Sequence, residues 1–230
     1  KQQSALASVY FSLHQSPVLD ARIPATQASL EQLINGLNQL GPVKKYLLLN
    51  TRFIHPDRYF DPVFLNRILA ILETLQTQTG LTGIVFSDAY FLNALSNGQP
   101  QVISRLEAIP GINCMIDSIS RALSFLTLIE SSGFRPPGKL ILDRSLNRDF
   151  NALTQIKEQL QKRDSTITTE LMANEGCLLQ CPFKLAHDAH ISYSNLTPGM
   201  ESTFKMNRSL GCHHWFHNHP QTVLASPFIR

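Results

Sequence analysis

Three consecutive stretches decide the fold: Lys45-Tyr46-Leu47-Leu48-Leu49-Asn50, then Asp61-Pro62 through Thr79-Gly80, then Gly83-Ile84-Val85-Phe86-Ser87-Asp88. The outer two are short, continuous apolar runs with polar ends, the pattern of strands buried on both faces. The middle one opens on Asp-Pro, a cap followed by a first-turn proline, and closes at Gly80. Asn66, Arg67 and Glu73 fall between its apolar residues, as an amphipathic helix requires. Strand, helix and buried strand in this order imply a parallel β-α-β unit.

The same rhythm extends in both directions. Further strand candidates are Ser8–Leu13, Ile112–Asp117, Lys139–Arg144 and Thr168–Asn174. Further helix candidates are Ser29–Leu40, stopped by Gly41-Pro42; Ser120–Ser132, stopped by Gly133; and Asn147–Arg163, with Phe150, Leu153, Ile156 and Leu160 at helical spacing. The expected fold class is α/β: a TIM-barrel-like (β/α)8 or an incomplete barrel of parallel strands, in one domain over residues 1–230, with a Cys/His-rich C-terminal region. About six strands are legible, and about the last forty residues read as irregular. Asn50, Asp88, Asp117, Arg144 and Asn174 close the strand candidates. That is the edge on which α/β barrels build active sites. For Asp88 and Asp117 a helix-capping role is an equal expectation.

Composition bounds the function. Hydrophobic residues make up 43% and charged ones 16%, the latter below the usual figure of about 25%. This excludes a disordered chain. A net charge of +3 is too small to indicate nucleic acid. No apolar run approaches the roughly 20 residues of a membrane span, and no signal peptide is visible. The expected partners are a small-molecule substrate and, given the low charge and short strand count, a second chain in a homo- or heterodimer. Nucleic acid is not expected from this chain alone. Four cysteines in a chain this long are not a secreted disulfide scaffold, so a reducing compartment, the cytoplasm, is expected. No serine nucleophile elbow, H-E-x-x-H, phosphate-binding glycine loop or G-x-G-x-x-G occurs.

The densest chemistry lies in Asn174-Glu175-Gly176-Cys177-Leu178-Leu179-Gln180-Cys181-Pro182-Phe183. Cys177 and Cys181 sit on a turn opened by Gly176 and closed to helix by Pro182. Cys212 follows with 30 residues between, and six of the eight histidines (His187, His190, His213, His214, His217, His219) share the region. Thiolates and imidazoles gathered this way suit zinc or iron–sulfur iron, so residues 174–219 form the expected metal- or cluster-binding segment. Cys177, Cys181 and Cys212 are the expected ligands. With a histidine (His187, His190 or His213) they would make a zinc site; with an exchangeable fourth position, a [4Fe–4S] site. Cys114, in an apolar stretch, reads as a small buried residue. His187 and His190, three apart, are candidates for substrate contact. Arg52, Arg58, Arg144, Arg148 and Lys184 could hold carboxylates. Glu170 and Glu175 are the carboxylates a peptidase mechanism would need.

Taken together, Asn174-Glu175-Gly176-Cys177-x₃-Cys181-Pro182-Phe183, His187, Cys212 and the closing Ser226-Pro227-Phe228-Ile229-Arg230 resemble the collagenase-like peptidase family U32. Lys45–Asn50 and Leu142-Asp143-Arg144-Ser145-Leu146-Asn147-Arg148-Asp149-Phe150 resemble that family's second strand and its strand-five turn. The resemblance covers most of the chain and is specific at the cysteine motif. It implies a TIM-barrel-like domain with a cysteine-bound [4Fe–4S] cluster, in a divergent branch related to prephenate-dependent, oxygen-independent hydroxylases. Those act on RNA bases or on a quinone-precursor ring. Cys177, Cys181 and Cys212 match the cluster ligands; no fourth cysteine matches. What the resemblance implies is an iron–sulfur enzyme acting on a small aromatic or nucleic-acid-borne ring, with Arg144 and Arg148 holding carboxylates and His187 moving protons. The alternatives are a zinc-dependent or unassigned peptidase and a non-enzymatic, metal-stabilised assembly module.

Overall fold

A computed structural model describes residues 6–13, 19–20, 29–173, 176–196, 202–219 and 224–226. The chain packs as two compact units: Lys1–Ile109 with Leu126–Pro137, and Pro110–Phe125 with Gly138–Arg230.

The first unit is built on strands β1 (Ser8–Phe11), β2 (Lys44–Leu49), β3 (Gly83–Phe86) and β4 (Glu107–Pro110), in that spatial order. β1 pairs parallel to β2, and β2 parallel to β3, with Tyr46 opposite Gly83 and Leu49 opposite Phe86. Every residue of β3 and β4 is buried, which is why these strands read as runs rather than alternations. Helix α1 (Leu30–Gln39) starts at Ser29 through a full capping box with Gln32. Helix α2 (Pro62–Thr79) starts at Asp61, whose carboxylate accepts from the Val63 and Phe64 amides, and stops at left-handed Gly80. Helices α3 (Ala89–Ser96) and α4 (Pro100–Ile103) connect β3 to β4.

The expected strand at Ile112–Asp117 is a correction. The strand is Glu107–Pro110, and Ile112–Cys114 is a 3₁₀ turn ended by Met115 at φ 52°. Glu107 disguises the strand in the sequence. Its buried carboxylate accepts from the Tyr46 hydroxyl at 3.0 Å and pairs with Arg135 at 3.7 Å. Partners of that kind are invisible in a linear reading.

The second unit holds β5 (Lys139–Ile141) and β6 (Thr168–Glu170), paired parallel. Helix α5 (Ile119–Ser132) lies between β4 and β5 in the chain. β5 ends earlier than expected, because the Asp143 carboxylate caps the Ser145 amide and turns the chain into a 3₁₀ segment, Arg144–Arg148. Helix α6 (Phe150–Arg163) therefore starts at Asp149 rather than Asn147. Ile156 and Leu160 are buried, whereas Phe150 is 72% exposed. Helix α7 (Lys184–Leu196) follows the cysteine turn, and the last forty residues, expected to be irregular, carry its end and helices α8 (Ser202–Ser209) and α9 (Cys212–Asn218). Asn174, expected to close β6, lies outside the described residues.

The architecture is α/β with parallel strands and no closed barrel among the described residues. Among them, no helix is long and apolar enough to cross a membrane.

Candidate functional site

The second unit brings several of the expected residues together at the C-terminal end of β5. The 3₁₀ segment after Asp143 carries Arg144 inward, where it is only 3% exposed. Its Nη1 donates to Cys177 Sγ at 2.8 Å. A guanidinium stays charged across the accessible pH range. Set against the sulfur, it is a charged donor within hydrogen-bond reach.

Cys177 is held from its backbone as well. Its carbonyl accepts from the Ala225 amide at 2.8 Å, and Leu178 pairs with Leu224 in an antiparallel bridge. Ala225 and Ser226 are fully buried. Arg148 donates through Nε to the Leu224 carbonyl at 3.1 Å and through Nη2 to the Ser226 carbonyl at 2.8 Å. Asn147 Nδ2 donates to the carbonyls of Met172 and Ala225 at 2.9 and 3.0 Å. Ser226 Oγ donates to the Ala173 carbonyl at 2.8 Å. Among the described residues, Asp143 Oδ2 and Asn147 Oδ1 are buried acceptors with no hydrogen-bond partner.

Cys181 follows left-handed Gln180, and its carbonyl accepts from the Lys184 amide at the start of α7. Burial pushes its thiol pKa up, and the nearby charge of Cys212 adds to the rise. Cys212 opens α9 behind Gly211. The four cysteines carry no disulfide, and Cys114 is buried in the 3₁₀ turn Ile112–Cys114.

His187 stands on the first turn of α7, where its Nε2 meets Asn207 Nδ2 of α8 at 2.6 Å. The Asn207 amide nitrogen can only donate, so Nε2 accepts. Lys184 and Asp188, one turn apart on α7, pair at 2.6 Å. His190, His213, His214 and His217 are exposed. His219 stacks on Trp215 with ring centroids 4.1 Å apart, and Phe183 meets the same indole edge-on. Glu170 pairs with Lys139 at 2.8 Å. Glu175 and residues 227–230 lie outside the described residues.

The three cysteines are of the donor type that an iron–sulfur cluster takes. They are unbridged thiols in one unit, one of them already accepting from a buried cation, and hydrogen bonds to sulfur are part of how such clusters are tuned. Among the described residues, no three His, Cys, Asp or Glu side chains gather as ligands of a single ion.

At the strand ends of the first unit, Arg52 is half-buried, and Arg58 pairs with Asp61 at 2.5 Å and lies over the Phe64 ring. Asp88 caps α3 through the Tyr90 and Phe91 amides and accepts from the Tyr59 hydroxyl at 2.5 Å. Burial raises the Asp88 pKa. Burial followed by this carboxylate pushes Tyr59 up to about 12. In the second unit Asp117 pairs with Arg121 at 2.9 Å.

Sequence reasoning did not single out Asp143, Asn147, Asn207 or Ser226 as parts of the site. The available signal was the density of polar residues in Asp143-Arg144-Ser145-Leu146-Asn147-Arg148-Asp149, directly after an apolar strand.

No protein-family model matches the sequence. An uncharacterized protease of Methanocaldococcus jannaschii is 23% identical over 171 residues, spanning 73% of this chain and 43% of that protein. The chain thus covers less than half the length of that relative. Among solved structures, the U32 peptidase Mk0906 superposes with a TM-score of 0.56 at 16% identity, covering 83% of this chain and 69% of that one. At this identity the likeness establishes the fold, a parallel α/β architecture shared with a U32 peptidase.

Proposed function

We propose that this chain is a U32-type enzyme whose chemistry runs through the Cys177 sulfur, and that Cys177, Cys181 and Cys212 are the thiolates of a [4Fe–4S] cluster. The reaction would be oxygen-independent hydroxylation, or related redox chemistry, on a small aromatic ring or one borne on nucleic acid. The observation that carries the proposal is the buried Arg144 guanidinium 2.8 Å from Cys177 Sγ. It favours the thiolate, the form that binds iron. When bound, a cluster would supply one-electron redox chemistry and an iron open to an exogenous ligand. The chain's own residues supply the rest. Arg144 fixes and charges the sulfur environment. His187, its Nε2 held by Asn207, is the proton-moving group. A prephenate-like oxygen donor follows from the family resemblance.

A peptidase is the second reading. The same Arg144–Cys177 contact favours it, because an arginine-stabilised thiolate is also a nucleophile. The similar archaeal protein is called a protease and the similar solved structure a peptidase.

Iron and acid-labile sulfide analysis of protein purified without oxygen, with an absorption spectrum and a Cys177→Ala control, separates the two. Iron with sulfide, lost in the variant, is the expected result, and prephenate-dependent hydroxylation is then the assay. Zinc without sulfide would sink the redox reading and leave a structural site or a metallopeptidase. Absence of both metals, together with Cys177-dependent peptide hydrolysis, would establish the second reading.

A further inference from the structure

We propose that Arg148 and Asn147 are positioning residues for Cys177, acting through the backbone of residues 224–226. The proposal deepens the reading of Cys177 as the central sulfur and rests on it, but its test does not require that activity.

Arg148 reaches two alternate carbonyls, Leu224 at 3.1 Å and Ser226 at 2.8 Å. Asn147 takes the carbonyl between them, Ala225, and ties it to Met172 just beyond β6. The same Ala225 gives its amide to the Cys177 carbonyl, and Leu224 bridges Leu178. Segment 224–226 is therefore a buried intermediary. One set of its polar groups is fixed by the 3₁₀ segment Arg144–Arg148, and another fixes the cysteine loop. Because Arg144 belongs to the same 3₁₀ segment, the circuit closes on Cys177. Arg144 holds the sulfur, and Arg148 and Asn147 hold the backbone that presents it. Buried carbonyls need donors. A planar guanidinium can serve two carbonyls at once in a way a single ammonium does not reproduce.

The test is iodoacetamide labelling of the metal-free full chain near neutral pH, with Cys177 and Cys181 resolved by mass spectrometry, alongside amide exchange of residues 224–226. In Arg148→Ala, Cys177 labelling should fall about tenfold, because the loosened cysteine loop no longer presents Cys177 Sγ to the Arg144 guanidinium. Cys181 labelling should hold, and exchange at 224–226 should rise. Added guanidinium ion should restore the Cys177 rate, and Arg148→Lys should fall between the two. Ser226→Ala, which removes one hydrogen bond at the same segment, should show the same selectivity to a smaller degree and serves if Arg148→Ala does not fold. An unchanged or faster Cys177 rate, an equal change at Cys181, or failure of guanidinium to rescue would overturn the proposal. Because no turnover is measured, failure of the hydroxylase reading would leave this result standing.

Discussion

At the scale of the residue, the Arg144–Cys177 contact is the centre of the proposed site. Arg144→Ala is expected to destabilise the fold by about 1.5–3 kcal/mol, the usual loss for a hydrogen bond to a charged group. It should also slow Cys177 alkylation at neutral pH; thermal unfolding and labelling kinetics check the two effects. Asp88 sets a second residue-scale expectation. Its pKa is raised by burial, so the folded state holds the proton more tightly than the unfolded chain does. The group contributes stability below its unfolded pKa, and that contribution is lost as pH rises through the higher folded value. Asp88→Asn retains an acceptor for the α3 cap and removes the titration. The melting temperature of the variant should therefore decline less than that of the parent as pH rises across the acidic range. Identical slopes would show that Asp88 does not titrate with folding.

At the scale of the element, two glycines set boundaries. Gly80 closes α2 at φ 68° with open space around it. Gly80→Ala should therefore cost about 1 kcal/mol through backbone strain alone. Gly83 differs, because a Cβ there would run into the Glu107 backbone carbonyl of the neighbouring β4. The Glu107 amide bonds the Thr82 carbonyl just before β3. Gly83→Ala should force the two strands apart and destabilise by about 1–3 kcal/mol, the range for overpacking. Denaturant unfolding of the pair should rank Gly83→Ala as the more damaging, and the reverse order would mean that β4 yields easily.

At the scale of the whole molecule, the chemistry is gathered in the second unit. If a cluster is held by Cys177, Cys181 and Cys212, chelating its iron should raise amide exchange in segments 177–196, 212–219 and 224–226, where those ligands and their supports lie. Exchange in β2, Tyr46–Leu49, should stay at its parent value, since those residues belong to the first unit. Exchange that rises equally in β2 would show that the cluster stabilises the chain as a whole.

The sequence by itself determined the parallel α/β class. Tyr46–Leu49 and Gly83–Phe86 are apolar throughout because both faces of those strands are buried, and the caps at Ser29, Asp61 and Gly80 carry their own local signals. It also singled out the cysteine motif, and it put the end of α6 at Arg163 while starting that helix at Asn147 instead of Phe150. What it misplaced depended on distant partners. Glu107 looks unlike a buried strand residue until Tyr46 and Arg135 supply its hydrogen bond and charge. Of the C-terminal helices, α8 and α9 are eight and seven residues long, too short for a clear helical period. Only the tertiary structure decided that Arg144 faces Cys177 and that Arg148 and Asn147 grip residues 224–226. Those contacts join positions between 33 and 78 residues apart in the chain. Hydrogen bonds over such separations form when a folded core carries both ends to one place, and no local pattern encodes them.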